Sequence, residues 1–420
     1  MKKDLNTFVK SLLIFFFSFT VSCDNKKDDI LPTIIPLAST VGNYNILNLS
    51  EFVTEIKYIP LETNDSVLIG QKILNIIYED EEILVLDVSF SNKNNCYLFD
   101  NNGKFSCKIG EMGQGPNDYL HINSISKLKN LIYLMDWNKI LIYNSSGNLV
   151  KNINLQSNKN YNESSGPNII PLKKETFVAN VISVSNYYPT AYLFENNLSM
   201  IKTTKEYPHN TKYKKQKTAG YSSSELGIIY SFKDDVRIFR GINDTIFTIG
   251  QNTEIKEAFI LEMGKYRTPL SYYEANFDDK KNYDGKFISL VNIYESLHHL
   301  FISFNFGNYA LEPFEATDPV FGGQYIKYDV YGVFEKSTGG LSLMRQPIKG
   351  KFGFKNNIDN GPVIWPHYIT SNNELVTYIS PEEFIEYYEK TENPSPRMTE
   401  IAKKLKIDDN PIVIIAKLKK

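Results

Sequence analysis

Short stretches of alternating apolar and polar residues recur along the chain, and this pattern predicts half-buried β-strands. In five places such a strand is followed by a polar turn rich in Asn, Asp, Ser or Gly and then by a second strand, as in a β-hairpin. The predicted hairpins span Tyr97–Phe105, Leu141–Val150, Tyr192–Leu198, Thr245–Asn252 and Tyr331–Gly340. The first two turn glycines, Gly103 and Gly147, are 44 residues apart in the sequence.

This long period favours a repeat architecture. A β-sandwich, the alternative, has turns roughly every 8–12 residues without a longer period. The sequence therefore predicts an all-β fold, a six-bladed β-propeller of four-stranded antiparallel blades, with each hairpin forming strands three and four of a blade. The strand Ile56–Leu61 precedes the first blade, and Ile412–Leu418 ends the last one. Because ring closure removes exposed sheet edges, we expect these two strands to share a blade.

Two short helices are predicted inside the last blade. Ser380-Pro381-Glu382-Glu383 has the residues of a capping box with Pro at the first helical position. After Pro396, the apolar residues Met398, Ile401, Ala402 and Leu405 recur at helical spacing. We expect both apolar faces to pack against the propeller.

The N-terminus has the pattern of a bacterial lipoprotein signal. Lys2, Lys3 and Lys10 precede a short apolar run ending near Phe19, which is too short to span a bilayer. Thr20-Val21-Ser22-Cys23 resembles a lipobox, so residues 1–22 are predicted to be a signal peptide and Cys23 the lipidation site. A simple cleaved signal is the alternative. The predicted organisation is a lipidated, flexible tether over 23–50 and the propeller over 51–420.

Charge and hydropathy restrict the partners. Removing residues 1–22 takes away three lysines and one aspartate, which changes the formal net charge from −2 to −4. The sequence has no basic stripe, so a nucleic-acid partner is not expected. A multiply acylated Cys23 would anchor the protein stably to a membrane. We therefore expect an outer-membrane lipoprotein, either periplasmic or exposed at the cell surface.

Cys96 and Cys107 are the remaining cysteines. If Asn101-Asn102 is the centre of the hairpin turn, the two cysteines face each other and a disulfide outside the cytoplasm is expected. If the turn has three residues and a Gly bulge, Cys107 instead faces Tyr97. Two free buried cysteines are the other interpretation.

Several short motifs resemble those of the six-bladed β-propeller lipoproteins of Gram-negative gut bacteria, whose blades are similar to NHL repeats. The resemblance runs from Ile56 to the C-terminus. It rests on Tyr58–Thr63, Ile109–Tyr119, Asn243–Phe247, Asn360–Pro366 and Asp408–Pro411. The loop Gly113-Gln114-Gly115-Pro116 is the most specific of these motifs, although Asn117-Asp118-Tyr119 stands where Gly-Glu-Tyr is common. The resemblance implies a fold and a location but no settled activity.

Two groups of residues are candidates for ligand binding. Gln114, Asn117, Asp118 and Tyr119 are predicted either to line the mouth of the central channel or to form a structural connection between blades. Trp365 and His367 are candidates for a contact surface, since aromatic rings stack on sugars, although a strand Trp is usually part of a core.

No convincing catalytic residues, metal site or cofactor motif is present. The five histidines do not form the His-Glu-x-x-His pattern of zinc enzymes, and no Gly-x-Ser-x-Gly elbow occurs. We therefore expect a non-enzymatic propeller that binds a glycan, a peptide or a protein. The alternatives are a carbohydrate-active hydrolase or lyase using polar residues at the channel mouth, and a sensor or scaffold subunit of a membrane complex.

Overall fold

The computed structural model describes residues 31–70, 72–88, 94–136, 139–155, 164–173, 176–183, 189–195, 200–203, 227–239, 244–269, 272, 283, 285–317 and 322–420. The predicted signal peptide, Cys23 and the charged stretch after it lie outside these residues.

The described chain begins with an N-terminal segment that precedes the blades. Its elements are β1 (Thr33–Ile35), α1 (Leu37–Thr40), β2 (Tyr44–Asn45), α2 (Leu49–Phe52) and β3 (Val53–Pro60).

Six sheets follow. Blade 1 consists of β4 (Lys72–Glu79), β5 (Glu82–Val88), β6 (Asn94–Asp100) and β7 (Phe105–Lys108). Blade 2 consists of β8 (Ile122–Leu128), β9 (Leu131–Asp136), β10 (Lys139–Asn144) and β11 (Leu149–Asn154). Blade 3 consists of β12 (Ser164–Lys173), β13 (Thr176–Ser183), β14 (Pro189–Glu195) and β15 (Met200–Thr203). Blade 4 consists of β16 (Ile228–Phe232), β17 (Asp235–Phe239), β18 (Thr245–Ile249) and β19 (Ile255–Leu261), and a 3-10 helix follows it at Gly264–Tyr266.

Blade 5 carries an insertion. It contains β20 (Ser289–Glu295), β21 (His299–Asn305), a 3-10 helix (Gly307–Tyr309), the inserted hairpin β22 (Phe314–Thr317) and β23 (Gln324–Lys327), then β24 (Asp329–Glu335) and β25 (Gly340–Met344). Blade 6 contains β26 (Tyr368–Ile369), β27 (Glu374–Ile379), α3 (Pro381–Lys390), α4 (Pro396–Ala402) and β28 (Ile412–Leu418).

The six blades form a closed ring, which confirms the predicted fold. The first strand of each blade contacts the first strand of the next, from β4 through β8, β12, β16, β20 and β26 back to β4. In blade 6 the strand order is β26-β27-β28-β3, so the N-terminal strand completes the last blade. Ile414 pairs with Tyr58 in this sheet. The closing strands therefore come from both ends of the chain, as the sequence predicted.

Each of the five predicted hairpins forms the third and fourth strands of a blade, from β6–β7 in blade 1 to β24–β25 in blade 5. In the first hairpin, the Asp100 carboxylate accepts hydrogen bonds from the backbone N–H groups of Asn102 and Lys104. Gly103 has φ +83°, and a Cβ there would lie 2.3 Å from the carbonyl oxygen of Pro60. Both the turn and the close approach of β3 therefore require glycine.

The middle strands of a blade are buried on both faces because a neighbouring blade packs on each side. In β5, Ile83 to Leu86 are all fully buried, so this strand is continuously apolar rather than alternating. Ile83 and Val85 pack in the core between blades 6 and 1, whereas Leu84 and Leu86 pack in the core between blades 1 and 2. The apolar cores of the propeller are thus interfaces between blades.

Both predicted C-terminal helices are present between β27 and β28. Ser380 caps α3 by accepting a hydrogen bond from the Glu383 N–H, and Ser395 caps α4 in the same way from Met398. Phe384, Met398 and Ile401 are buried in the core shared by blades 5 and 6. The helices thus pack by their apolar faces, as expected.

The N-terminal segment differs from the flexible tether predicted for residues 23–50. β1 pairs in parallel with β19 of blade 4, and β2 pairs in parallel with β25 of blade 5. Leu37 and Leu49 are fully buried. This segment adds a fifth strand to two blades because its apolar residues cover their outer edges. Among the described residues, no helix is long and apolar enough to cross a membrane.

Candidate functional site

A cavity of about 60 Å³ lies where the turns between first and second strands of four blades converge. We call this region the turn-side mouth. It is lined by Glu79, Ser231, Phe232, Lys233, Glu295, Ser296, Leu297, Tyr368, Ile369, Thr370, Ser371 and Asn373. The turns are tight: Lys233 and Asn373 have positive φ angles of 54° and 64°. These tight turns bring residues of blades 1, 4, 5 and 6 around one space.

A buried ion cluster forms the wall between blades 4 and 5. The Glu295 carboxylate, whose side chain is 0% exposed, accepts hydrogen bonds from Arg237 Nε at 3.0 Å and Lys336 Nζ at 2.7 Å. The Tyr230 hydroxyl donates to the same carboxylate at 3.0 Å. Burial and the neighbouring Glu295 raise the pKa of Tyr230 well above its usual value. Because three donors hold Glu295, its principal role is to join the two blades.

Cations and an aromatic ring lie beside this cluster. The Lys336 ammonium lies 4.1 Å from the centroid of the Phe232 ring, and the Lys233 ammonium lies 5.5 Å from it. Burial lowers the pKa of Lys336, and the positive charges of Arg237 and Lys233 lower it further, although Glu295 opposes the change. Lys233 is exposed, and its ammonium makes no ion pair with any described residue. Lys233 therefore presents an exposed positive charge at the mouth.

The opposite wall joins blades 6 and 1. The Glu79 carboxylate accepts hydrogen bonds from the Tyr368 hydroxyl at 2.9 Å and from the Ser371 N–H at 2.7 Å. The Ser371 hydroxyl is also 2.5 Å from this carboxylate. Burial and Glu79 together raise the pKa of Tyr368 well above its usual value. Glu79 thus links the first and last blades across the ring closure.

The predicted loop residues form a structural connection between blades 1 and 2. Asp118 accepts a hydrogen bond from the Gly115 N–H at 2.9 Å, and a Cβ at Gly113 would lie 2.3 Å from Asp118 Oδ2. Tyr119 is fully buried and donates to the carbonyl of Asn94 at 3.2 Å. Gln114 and Asn117 are exposed, but none of these four residues lines the cavity of the turn-side mouth.

Trp365 and His367 are also separate from the turn-side mouth. Trp365 is 7% exposed and packs at ring-centroid distances of 4.6 Å from Tyr331 and 5.6 Å from Phe354, so it belongs to the core of blades 5 and 6. His367 is solvent accessible, and its Nδ1 lies 2.8 Å from Thr377 Oγ1. Partial desolvation of the ring lowers the pKa of His367 below its usual value.

The predicted register of the cysteines is wrong, and both cysteines are free. The turn has the Gly bulge, since Phe99 pairs with Phe105, but a further shift between Leu98 and Phe99 places Cys107 opposite Leu98. Cys96 is fully buried, and burial raises its pKa well above the usual range. The two thiols are therefore diagonal neighbours rather than a facing pair.

Sequence reasoning missed the residues of the turn-side mouth. Arg237 and Glu295 are 58 residues apart and Lys336 is 41 residues beyond Glu295, so no local pattern connects them. By contrast, the sequence does mark Asp87 and Asp136 as candidate buried polar residues, since each lies at or near the end of an otherwise apolar strand. Both are buried and accept hydrogen bonds from backbone N–H groups, those of Gly70 and Leu120 respectively.

Within the described part of the chain, no group of three or more His, Cys, Asp or Glu side chains could hold a metal ion.

The closed ring of four-stranded antiparallel sheets defines the protein as a six-bladed β-propeller. Over residues 32–417 the sequence matches the family described as a domain of unknown function, DUF4934, and the chain belongs to this family. No curated protein matches the chain.

Three solved structures are similar to this chain. A protein of Bacteroides fragilis NCTC 9343, named as an inferred exported protein, is 18% identical with a TM-score of 0.66 over 92% of this chain and 100% of that chain. A member of the DUF4221 family from Bacteroides vulgatus ATCC 8482 is 9% identical with a TM-score of 0.48, and the match covers 90% of this chain and 99% of that chain. Virginiamycin B lyase from Staphylococcus aureus is 13% identical with a TM-score of 0.38, and the match covers 77% of this chain and 80% of that chain. The first similarity establishes the fold alone, and the other two carry no functional argument.

Proposed function

We propose that this protein is an exported lipoprotein whose propeller binds a glycan, a peptide or a protein through the turn-side mouth. Export is supported by the signal pattern of residues 1–22 and by the name of the Bacteroides fragilis structure. Anchoring rests on the lipobox-like sequence that ends at Cys23.

The turn-side mouth is the observation that carries the binding proposal. Its volume of about 60 Å³ holds a few water molecules, so it accommodates an end group or one side chain rather than a whole drug-sized ligand. Lys233 offers an exposed ammonium and Ser231 a hydroxyl, and the Phe232 ring, which cations already contact, lies beside them. We infer that the ligand inserts one polar group here while its remaining part lies across the surrounding turns.

The binding test uses the mature chain in glycan-array and peptide-library screens. We expect Lys233→Ala to weaken binding of the recovered ligand about tenfold, because it removes one charge-assisted hydrogen bond. Lys129→Ala is the matched control. Lys129 is also exposed, with φ 53°, in the turn between the first and second strands of blade 2, but it does not line the cavity. An equal loss in both variants would place the ligand elsewhere.

The anchoring test is separate. We expect Cys23→Ala protein to be released from the membrane fraction by a high-salt wash, since the acyl chains on Cys23 are the predicted stable anchor. Native protein should carry acyl chains on the peptide that begins at Cys23, as mass spectrometry would show. An unmodified Cys23 in membrane-purified protein would contradict lipidation without affecting the binding proposal.

A carbohydrate-active hydrolase or lyase is the second candidate, because two carboxylates, Glu79 and Glu295, line the same cavity from different blades. The donors described above occupy both carboxylates, which favours binding over catalysis. Hydrolysis of any screened glycan by the wild-type protein, with loss of activity in Glu79→Gln, would favour the enzyme.

A further inference from the structure

Exposed apolar side chains are concentrated on one part of blade 5 and the N-terminal strand beside it. Six large apolar residues there are each between 39% and 52% exposed. We call this surface the blade 5 rim and define it by Ile46, Tyr309, Leu311, Tyr325, Ile326 and Ile348. Single exposed apolar residues are normal, but a contiguous group usually marks an interaction surface.

Hydrogen bonds connect three of the segments that carry these residues. The Tyr44 hydroxyl donates to the Tyr309 carbonyl at 3.4 Å. The Arg345 N–H donates to the Asn45 carbonyl at 2.9 Å. Gln346 Nε2 donates to the Glu312 carbonyl at 2.6 Å. Ile46, Leu311 and Ile348 therefore lie on adjacent segments of one surface.

The inserted hairpin supplies the most exposed part of the rim. Tyr325 and Ile326 are consecutive in β23, so their side chains point to opposite faces of the hairpin, and both are exposed. At the base of the hairpin, the Phe314 ring lies 5.7 Å from the Phe352 ring. The hairpin thus stands on an aromatic base and exposes apolar side chains on both faces.

We propose that the blade 5 rim rests on a lipid surface, an inference that builds on the lipid anchoring proposed above. Nine peptide bonds separate Cys23 from Pro32, just before β1, so the extended linker reaches at most about 30 Å. An acylated Cys23 would therefore keep the N-terminal segment, which carries Ile46, close to the membrane. The rim is connected to the anchor through this segment, since Ile46 follows β2 directly.

The chemistry of the rim fits the boundary between lipid headgroups and acyl chains. Its tyrosines combine an apolar ring with a polar tip, as side chains at membrane interfaces do. The exposed Lys349 follows Ile348 directly and suits anionic headgroups, whereas Lys327 is paired with Asp329 at 3.8 Å and Glu315 lies opposite Ile326. The cavity of the turn-side mouth includes no residue of the rim, which leaves that mouth free for a ligand.

The test uses the full mature chain carrying Cys23→Ser, so that binding does not depend on acylation. In flotation assays with vesicles of phosphatidylethanolamine and phosphatidylglycerol, we expect weak but measurable association. The double variant Tyr325→Ser, Ile326→Ser should lower the partition coefficient about tenfold, since it removes two apolar side chains from the lipid. Val150→Ser is the matched control, because Val150 is 57% exposed but belongs to β11 of blade 2.

A second measurement guards against a folding defect in the double variant. Vesicles should slow tryptic cleavage at Lys327 of the Cys23→Ser protein without changing cleavage at Lys129. The proposal is overturned if neither vesicle association nor protection is observed, or if Val150→Ser reduces association as much as the double variant. Concentration-dependent dimerisation abolished by the double variant, without vesicle binding, would instead identify the rim as a protein interface. Acylation of native Cys23 is measured separately, so a failure of the proposed lipidation can be distinguished from a failure of the proposed membrane contact of the rim.

Discussion

Blade 1 and blade 6 have the same strand order but obtain their strands differently. The four strands of blade 1 follow one another in the sequence over residues 72–108. Blade 6 takes β26 to β28 from the C-terminal region and β3 from residues 53–60. Blade 1 can therefore form from local contacts, whereas blade 6 exists only when the ring closes. Ring closure accordingly couples the stability of every blade to the two ends of the chain.

The largest expected effect comes from breaking this closure. Deleting residues 411–420 removes β28, which lies between β27 and β3 and pairs with both. We expect loss of the whole cooperative unfolding transition, because β3 and β27 lose their shared neighbour and the core between blades 6 and 1 is exposed. Circular dichroism melting would show this. Deleting residues 24–29 of the predicted tether is the control, and an unchanged melting temperature in the 411–420 deletion would mean that the ring closes in another way.

A smaller effect is expected at the seam between these blades. Asn410 is 1% exposed; its side chain accepts from the Ile69 N–H at 2.7 Å and donates to the carbonyls of Glu62 at 2.7 Å and Val67 at 3.1 Å. Asn410→Ala leaves these three backbone groups without their partner and should lower the free energy of unfolding by about 3 kcal/mol. Urea denaturation would measure the change.

Asn410→Asp provides a graded control at this seam. An aspartate keeps an acceptor for the Ile69 N–H but loses both donors, so it should also destabilise the protein. Wild-type stability in both variants would show that the hydrogen bonds of Asn410 do not hold the closure.

The smallest effect is expected inside blade 1. Cys96 is fully buried and free, so Cys96→Ser places a hydroxyl in the apolar core and should cost about 1–2 kcal/mol of unfolding free energy. Cys107→Ser should cost less, since Cys107 is only partly buried. Mass spectrometry of denatured, non-reduced protein should find two alkylatable thiols. Recovery of a Cys96–Cys107 disulfide from the native protein would show that the register of this hairpin differs from the one described here.

The first hairpin shows how far local sequence carries a structural prediction. Asp100 and Gly103 identified the turn correctly, because the polar side chain and the positive φ act within four residues. The prediction of which residue faces Cys107 was wrong, because a bulge between Leu98 and Phe99 adds one more shift in register. A bulge recurs at the equivalent position in blades 2 to 4, so it is a property of the repeated hairpin that the turn residues alone did not reveal.

The candidate binding residues were harder to predict than the fold. Trp365 was a candidate because aromatic rings can contact ligands, yet Tyr331 and Phe354 cover it in the core between blades 5 and 6. Lys233 drew no attention because one lysine in a polar turn is ordinary. Only the structure shows that it lies beside Phe232 and lines the same cavity as Glu295.

The sequence by itself determined the five blade hairpins and their turns, the capped helices and the pairing of β3 with β28. These features depend on periodicity and on contacts between residues a few positions apart, and closure follows from the need to cover sheet edges. Only the tertiary structure decided which polar side chains meet. Glu79 and Ser371 are 292 residues apart, and they form a hydrogen bond because ring closure brings the first turns of blades 1 and 6 together. The relative rotation of packed blades sets that distance, and no short stretch of sequence encodes it.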